Sequence, residues 1–502
     1  MHWASTVALS LLLLILQRST EVFCFPKQPS NRRRFQSERS HYFAWHPVSS
    51  SIRSSSSLQW RQQAADEEKE TDGNRAGDLT TNNGARRKED KASMPNLITS
   101  LVKSVVGSGI FALPAGIAAM STASGASGID VSGINVVVAA LVIIGLVGAM
   151  NAYFFSLLGS CCELTDTTSF GEAWDAANQQ KKPGTLVPLV LVLKTLLSCL
   201  AFSIILADSY QSLAIGLLGW DVTRTQALLS VTLTTVAPLC LLRDLKALAP
   251  FSALGIAGIS FTVFGMVYRL LDGSYGTPTT AISMGGGAIN WSGALVLACT
   301  LATAFVAHYN APRFYAELEN PTPARWSTVV YSSFAIAGLI FGLVGTVGYQ
   351  TFGSATQGFI LNNYGQDDGL MTLARLALAI SITFSYPLPF VGMRDSVLQL
   401  LPQQTNHDED SDQPRFLAVT FGLLAVVTAV AIQVEDLALI ATIGGGTFST
   451  IVASVLPALM YRGAVGMKDK PSESSLQVNL TMALMAISVA IGGAGVTLSL
   501  TK

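Results

Sequence analysis

Charge is what this chain has least of. Only 13% of its 502 residues are Asp, Glu, Lys or Arg, about half the share of an ordinary soluble domain. The scarcity is concentrated: no charged residue occurs in 104–129, 132–162, 225–242, 247–268, 273–312, 326–366, 376–393, 416–434, 437–461 or 474–501. These runs exclude a string of soluble domains, which length alone would allow. Most of them are long enough for a helix crossing a hydrocarbon core of about 30 Å, which takes about 20 residues. Membrane strands are excluded too, because they are short and alternate apolar with polar residues.

Cysteine is also sparse. The six, Cys24, Cys161, Cys162, Cys199, Cys240 and Cys299, fall mostly inside apolar runs. They suit small buried side chains better than a disulfide framework or a metal site. No pair of acids or histidines within the runs is spaced for a metal-dependent protease, and no Ser–His–Asp set lies inside the membrane. An enzyme, a cofactor and a resident metal are therefore not expected. The net charge of −1 says little about partners, and no nucleic acid is expected among them.

What is present is a series of helices. The apolar runs divide into TM1 94–120, TM2 133–160, TM3 185–217, TM4 226–242, TM5 248–270, TM6 290–314, TM7 327–351, TM8 371–392, TM9 415–433, TM10 436–461 and TM11 475–500. With the first helix starting inside, the inner loops carry Lys181, Lys182, Arg243, Lys246, Arg313, Arg325, Arg394, Arg415, Arg462, Lys468 and Lys470. The outer ends carry Arg224, Arg269, Arg375 and Lys502. Eleven against four is the positive-inside bias, and a missed helix would scramble it. The expected fold is an all-α membrane protein of about eleven spans, 94–502, behind a disordered N-terminal targeting region.

That region has three parts. An apolar run over 7–16 is too short to span and suits a signal-peptide core, with a small-x-small site at Val22-Phe23-Cys24. No Lys or Arg precedes it. Residues 25–63 are Ser-rich and basic, with Lys27, Arg32, Arg33, Arg34, Arg39, Arg53 and Arg61 against the single acid Glu38. Residues 64–93 are a polar linker. A signal core (1–24) before such a stretch, with Phe25 at the junction, resembles the bipartite plastid presequence of algae with secondary plastids. The resemblance implies a plastid envelope. The alternative is a disordered, secreted-side tail, on a protein of an endomembrane or the plasma membrane.

A broken helix survives in lipid only where it lines a cavity, and transporters open one helix in each structural repeat at mid-membrane. TM1 carries Val106-Gly107-Ser108-Gly109-Ile110 and then Pro114. TM6 carries Ala304-Phe305-Val306-Ala307-His308 and then Pro312, which lacks a backbone donor. Five spans separate them, the spacing of first helices in two five-helix repeats. Freed amides of TM1 can face a carboxylate with the positive end of a half-helix, and freed carbonyls of TM6 can receive an ammonium. The expected substrate-binding residues are Val106, Gly107, Ser108, Gly109, Ala304, Phe305 and His308. Close packing of Gly–Ser–Gly is the alternative reading of TM1. Ionisable residues inside spans are functional candidates, since each is costly there. They are Lys103, Asp208 and His308, while Lys194 and Arg375 lie nearer helix ends and suit snorkelling.

These features resemble the amino acid/auxin permease family, over some four-fifths of the chain. The motifs are 106–114 in TM1, Phe305-Val306-Ala307-His308-Tyr309 with Tyr315-Ala316-Glu317-Leu318 in TM6, and Gly348-Tyr349-Gln350-Thr351-Phe352-Gly353 in TM7. TM8 adds Arg375-Leu376, Thr383-Phe384-Ser385-Tyr386-Pro387 and Arg394-Asp395. The resemblance implies eleven spans, the LeuT-type 5+5 inverted repeat with broken TM1 and TM6, and secondary transport of small amino acids by alternating access. One position departs from the sodium-coupled members: four residues before Gly107 they carry an asparagine that helps hold the ion, and here stands Lys103. The proton-assisted members are similar to this chain there. A fixed ammonium would compete with Na⁺ for the oxygens of Ser381, Thr383 and Ser385. The coupling set is therefore Lys103, Ser381, Thr383 and Ser385, with the proton as the expected coupling ion and a Na⁺-coupled amino acid transporter as the alternative. An amino-acid sensor of the same fold is the reading from another class, and a channel lacks a filter motif.

Overall fold

The structure is a computed structural model, and it describes residues 91–121, 135–180, 184–242, 251–276, 289–401, 409–467 and 474–501. The expected signal-like segment, the basic Ser-rich segment and the linker as far as residue 90 lie outside the described residues. So do the loop cations Lys181, Lys182, Arg243, Lys246, Lys468, Lys470 and Lys502.

Among the described residues, nine helices are long and apolar enough to cross a membrane, ten when the bent TM1 counts as one span. In order they are TM1, Met94–Val105 and Leu113–Met120; TM2, Val136–Thr165; TM3, Leu186–Leu218; TM5, Phe251–Asp272; and TM6, Trp291–Glu317. TM7 is Pro323–Phe352, TM8 Gly369–Leu400, TM9 Glu409–Gln433, TM10 Leu437–Gly466 and TM11 Ser474–Leu500. TM4 completes the series over 224–240 as helical pieces of 8, 5 and 4 residues. Those 17 residues stand at the lower limit for crossing a bilayer.

Sequence-encoded caps start these helices. Asn135, Asn290, Thr322, Asp368 and Asp436 each accept a backbone N–H of the first turn with their side-chain oxygen, and Thr223 with Gln226 forms a capping box. Each satisfies a donor that the helix itself cannot.

Polar side chains gather at the two ends of the bundle, as alternating spans require. At the outer end Arg224 meets Asp208 at 2.7 Å, Asn362 donates to the same carboxylate at 2.9 Å, and Arg224 donates to the Ala431 carbonyl at 2.9 Å. The Asp208–Arg224 pair therefore joins TM3, TM4, the TM7–TM8 connection and TM9, and Asp208 belongs to the outer clasp rather than to an intramembrane site. Arg269 binds Asp368 with two nitrogens, at 2.7 and 2.8 Å, and the Tyr275 hydroxyl donates to it at 2.8 Å. Burial works against the Asp368 charge, but Arg269, the Met371 amide and Tyr275 outweigh it and hold the carboxyl below its ordinary range. At the inner end Arg394 donates to the Cys240 carbonyl at 2.7 Å and lies over the Phe416 ring at 4.2 Å.

Two expectations change here. Arg375 does not snorkel: it is 2% exposed and donates to the carbonyls of Leu361, Tyr364 and Gly365. It thereby moulds the TM7–TM8 connection, whose Phe359, Ile360 and Leu361 are buried. Phe359 packs edge-on against Phe111 of TM1 at 6.4 Å, so this connection covers the outer half of TM1. Lys194 does not snorkel either, being 7% exposed.

Candidate functional site

TM1 opens where glycine is densest. Its first helical half ends with the Val106 amide bonded to the Val102 carbonyl, and backbone bonding resumes from Ile110 to Gly107 at 3.4 Å. Between them Val106 and Gly107 are extended, and a 3₁₀ turn runs over Ser108–Ala112. The amides of Gly107, Ser108 and Gly109 thus have no helical acceptor, and the two halves bend by 49°. A side chain at Gly107 would meet no described atom within 4 Å. Tight packing is therefore not what requires glycine at that position.

TM6 opens at the matching place. Its first half, Trp291–Ala304, ends with the Phe305 amide bonded to Leu301. Bonding resumes from Asn310 to Ala307 at 2.9 Å, through a 3₁₀ turn His308–Asn310 into the helix Ala311–Glu317. The carbonyls of Ala302 through Val306 consequently lose their helical donors. In LeuT-like geometry such carbonyls point into the path that ions and substrates use.

The two breaks lie against each other. A methyl group at Gly109 would touch the Ala304 Cα at 3.8 Å, and the outer halves cross so closely that one at Gly293 would lie 1.9 Å from the Ala119 carbonyl oxygen. On the inner side the Asn310 amide donates to the Ser104 hydroxyl at 3.2 Å, and Ala92 exchanges backbone bonds with Glu317 and Glu319. The inner halves of TM1 and TM6 are therefore tied together.

The side chains expected at the site divide into two groups. Val106 and Gly107 are half-buried at the opened turn, beside the backbone of Ser108 and Gly109. Phe305 is fully buried in the opposite direction, 4.6 Å from the Phe341 ring and 5.9 Å from the Phe334 ring. His308 is fully buried too; one ring nitrogen bonds the Asn151 carbonyl of TM2 at 3.0 Å, and Phe155 lies edge-on at 5.3 Å. Both pack TM6 onto TM2 and TM7, so what Ala304, Phe305 and His308 present to the break is backbone. Behind them, a cavity of about 30 Å³ between TM2, TM6, TM10 and TM11 is lined by Asn151, whose side-chain oxygen has no partner among the described residues.

The expected coupling set is less gathered. Lys103 is exposed, in the last turn of the first half of TM1. Ser381 donates to the Gly255 carbonyl of TM5 at 3.1 Å, and Ser385 faces the same glycine. Thr383 donates to Ala379 of its own helix at 2.7 Å and meets the Tyr210 hydroxyl of TM3 at 3.3 Å.

Residues 90–501 match the family described as transmembrane amino acid transporter protein. The chain belongs to that family. A mouse relative provisionally named sodium-coupled neutral amino acid transporter 11 is 25% identical over 74% of this chain and 78% of its own. The amino acid transporter AVT6D of Arabidopsis thaliana is 26% identical over 80% of this chain and 92% of its own. Among solved structures, the inward-facing conformation of Mhp1 is similar with a TM-score of 0.54 at 15% identity, covering 85% of this chain and 93% of that one. The fold is thus the LeuT-type bundle, and this family member is a secondary transporter of amino acids.

Sequence reasoning missed two residues of this family member's broken-helix region. Asn310 ties TM6 to TM1, and only its position beside the break hinted at that. Lys194 lies with its ammonium 4.7 Å from the centre of the Tyr309 ring. Its place eight residues beyond the start of TM3 suggested the interface instead.

Proposed function

We propose that this transporter carries small neutral amino acids as zwitterions, the carboxylate received by the amides at 107–109 of TM1 and the ammonium by the freed carbonyls of TM6. The observation that carries this reading is the pairing of the two breaks: freed donors on one opened helix adjoin freed acceptors on the other, a match for a molecule whose two charged groups share one carbon. Small substrates follow from the short reach between Gly109 and Ala304. Alternating access has its moving parts in the tied inner halves of TM1 and TM6, beneath an outer side covered by the TM7–TM8 connection. Coupling to protons rather than Na⁺ rests on sequence: Lys103 stands four residues before Gly107, where the sodium-coupled members that the chain resembles carry an asparagine. The plastid envelope remains the proposed location, on the strength of residues 1–63.

Competition tests the zwitterion directly. Uptake of labelled alanine into proteoliposomes should be blocked by unlabelled small amino acids, and not by ethylamine or propionate, which each carry one of the two charges. Equal inhibition by either single-charge compound would remove the paired-break site. Strict Na⁺ dependence would favour the sodium-coupled reading that the name of the mouse relative suggests.

A further inference from the structure

Lys194 is the ionisable side chain that the transport reading leaves without a task. It is 7% exposed, in the inner half of TM3. The Tyr309 ring covers one side of its ammonium at 4.7 Å. Among the described residues no carboxylate pairs with it and no acceptor takes a hydrogen bond from it, although an ammonium has three donors. A ring face attracts a cation without satisfying those donors. One turn further along the same face, Leu197 packs beside Gly444 of TM10 next to Thr303 of TM6. Lys194 therefore points to where TM3, the inner side of the TM6 break and TM10 converge.

An unpaired cation held inside a membrane protein costs stability, and such residues mark substrate or ion paths. An anion small enough to reach the ammonium beside Tyr309 would supply the partner that the described residues do not. We propose that Lys194 and Tyr309 form a second carboxylate subsite, on the inner side of the TM6 break, which receives the substrate's α-carboxylate as it leaves the amides of TM1. The subsite rests on the reading of the chain as a transporter of zwitterions. Its chemistry, a cation with free donors over an aromatic face, distinguishes a carboxylate from a carboxamide. The same chemistry could hold a small inorganic anion.

Lys194→Met and Lys194→Arg in proteoliposomes separate these. Lys194→Met removes an unpaired charge, so the purified protein should melt no lower than wild type. The KM for amino acid presented from the inner side should rise roughly tenfold or more, the size of a lost charged hydrogen bond, with outer-side KM changed far less. Wild type should prefer an amino acid to its carboxamide from the inner side, Lys194→Met should weaken that preference, and Lys194→Arg should regain most of it. An unchanged inner KM and preference in Lys194→Met would overturn the proposal. So would a large drop in melting temperature with a uniform loss of activity, which would make Lys194 a packing residue. Inner-side uptake that follows chloride and fails in gluconate, with no preference over the carboxamide, would assign an inorganic anion instead. Should wild type carry no amino acid at all, the transport reading itself would fail, a result distinct from each of these.

Discussion

Two residues expected at the site predict opposite outcomes. At Gly107 an added side chain meets open space and the backbone is extended at φ −114°, a conformation any residue adopts. Gly107→Leu should therefore express and melt within about 2 °C of wild type, yet abolish uptake by filling the space where substrate meets the amides. Normal uptake at normal expression would contradict the site. His308 illustrates the reverse. It was a substrate candidate by sequence, but it is sealed against TM2 with a bond to the Asn151 carbonyl. His308→Leu should cost about 1 kcal/mol of stability through the lost hydrogen bond and leave KM for the amino acid near wild type. A selective KM change in a stable variant would return His308 to the substrate path. Sequence could flag the residue because a histidine within a span is costly wherever it points. The direction of its side chain depends on Phe155 and Phe334, which are distant in the chain.

At the scale of elements, the crossing of TM1 and TM6 sets what can be changed. Gly293→Ala would drive a methyl group to 1.9 Å from the Ala119 carbonyl oxygen, against backbone that cannot yield. We expect a loss of about 1–3 kcal/mol or failure to accumulate, measured as the melting temperature of the detergent-solubilised protein; a variant as stable as wild type would refute the crossing. The breaks themselves were legible, since glycines and prolines mark where helices open. TM4 was legible only as an apolar run; its π turn at Thr232–Val236 leaves no periodic signature. The pairing of Ser104 with Asn310 was illegible, because hydrogen bonds across helices obey no spacing along one chain. The outer clasp predicts a pH response. The Asp368 carboxyl is held below its ordinary range, so its contribution to stability is fully present above the unfolded carboxyl range. That contribution is lost as pH falls through the lowered folded value. Melting temperature should hold from neutrality to about pH 5 and fall only in stronger acid, while Asp368→Asn should flatten that acid limb. An unchanged acid limb in the variant would exclude the clasp.

At the scale of the whole molecule, hydropathy alone ordered the spans, because lipid leaves a chain few ways to satisfy its backbone. Segregation of Asp208, Arg224, Arg269 and Asp368 to one end, and Arg394 to the other, is the spatial counterpart of that order. Coupling is a property of the complete cycle, and Lys103 is its single sequence signal. Proton-driven amino acid transport through the paired breaks is the proposal on which the other readings depend. Its most direct test is uptake of labelled alanine into proteoliposomes with choline in place of Na⁺ and an imposed pH gradient, for wild type and Lys103→Asn. Accumulation in wild type should be driven by the gradient and undiminished by the loss of Na⁺, and it should be strongly reduced in Lys103→Asn. Accumulation that requires Na⁺ and ignores the pH gradient would contradict the proposal.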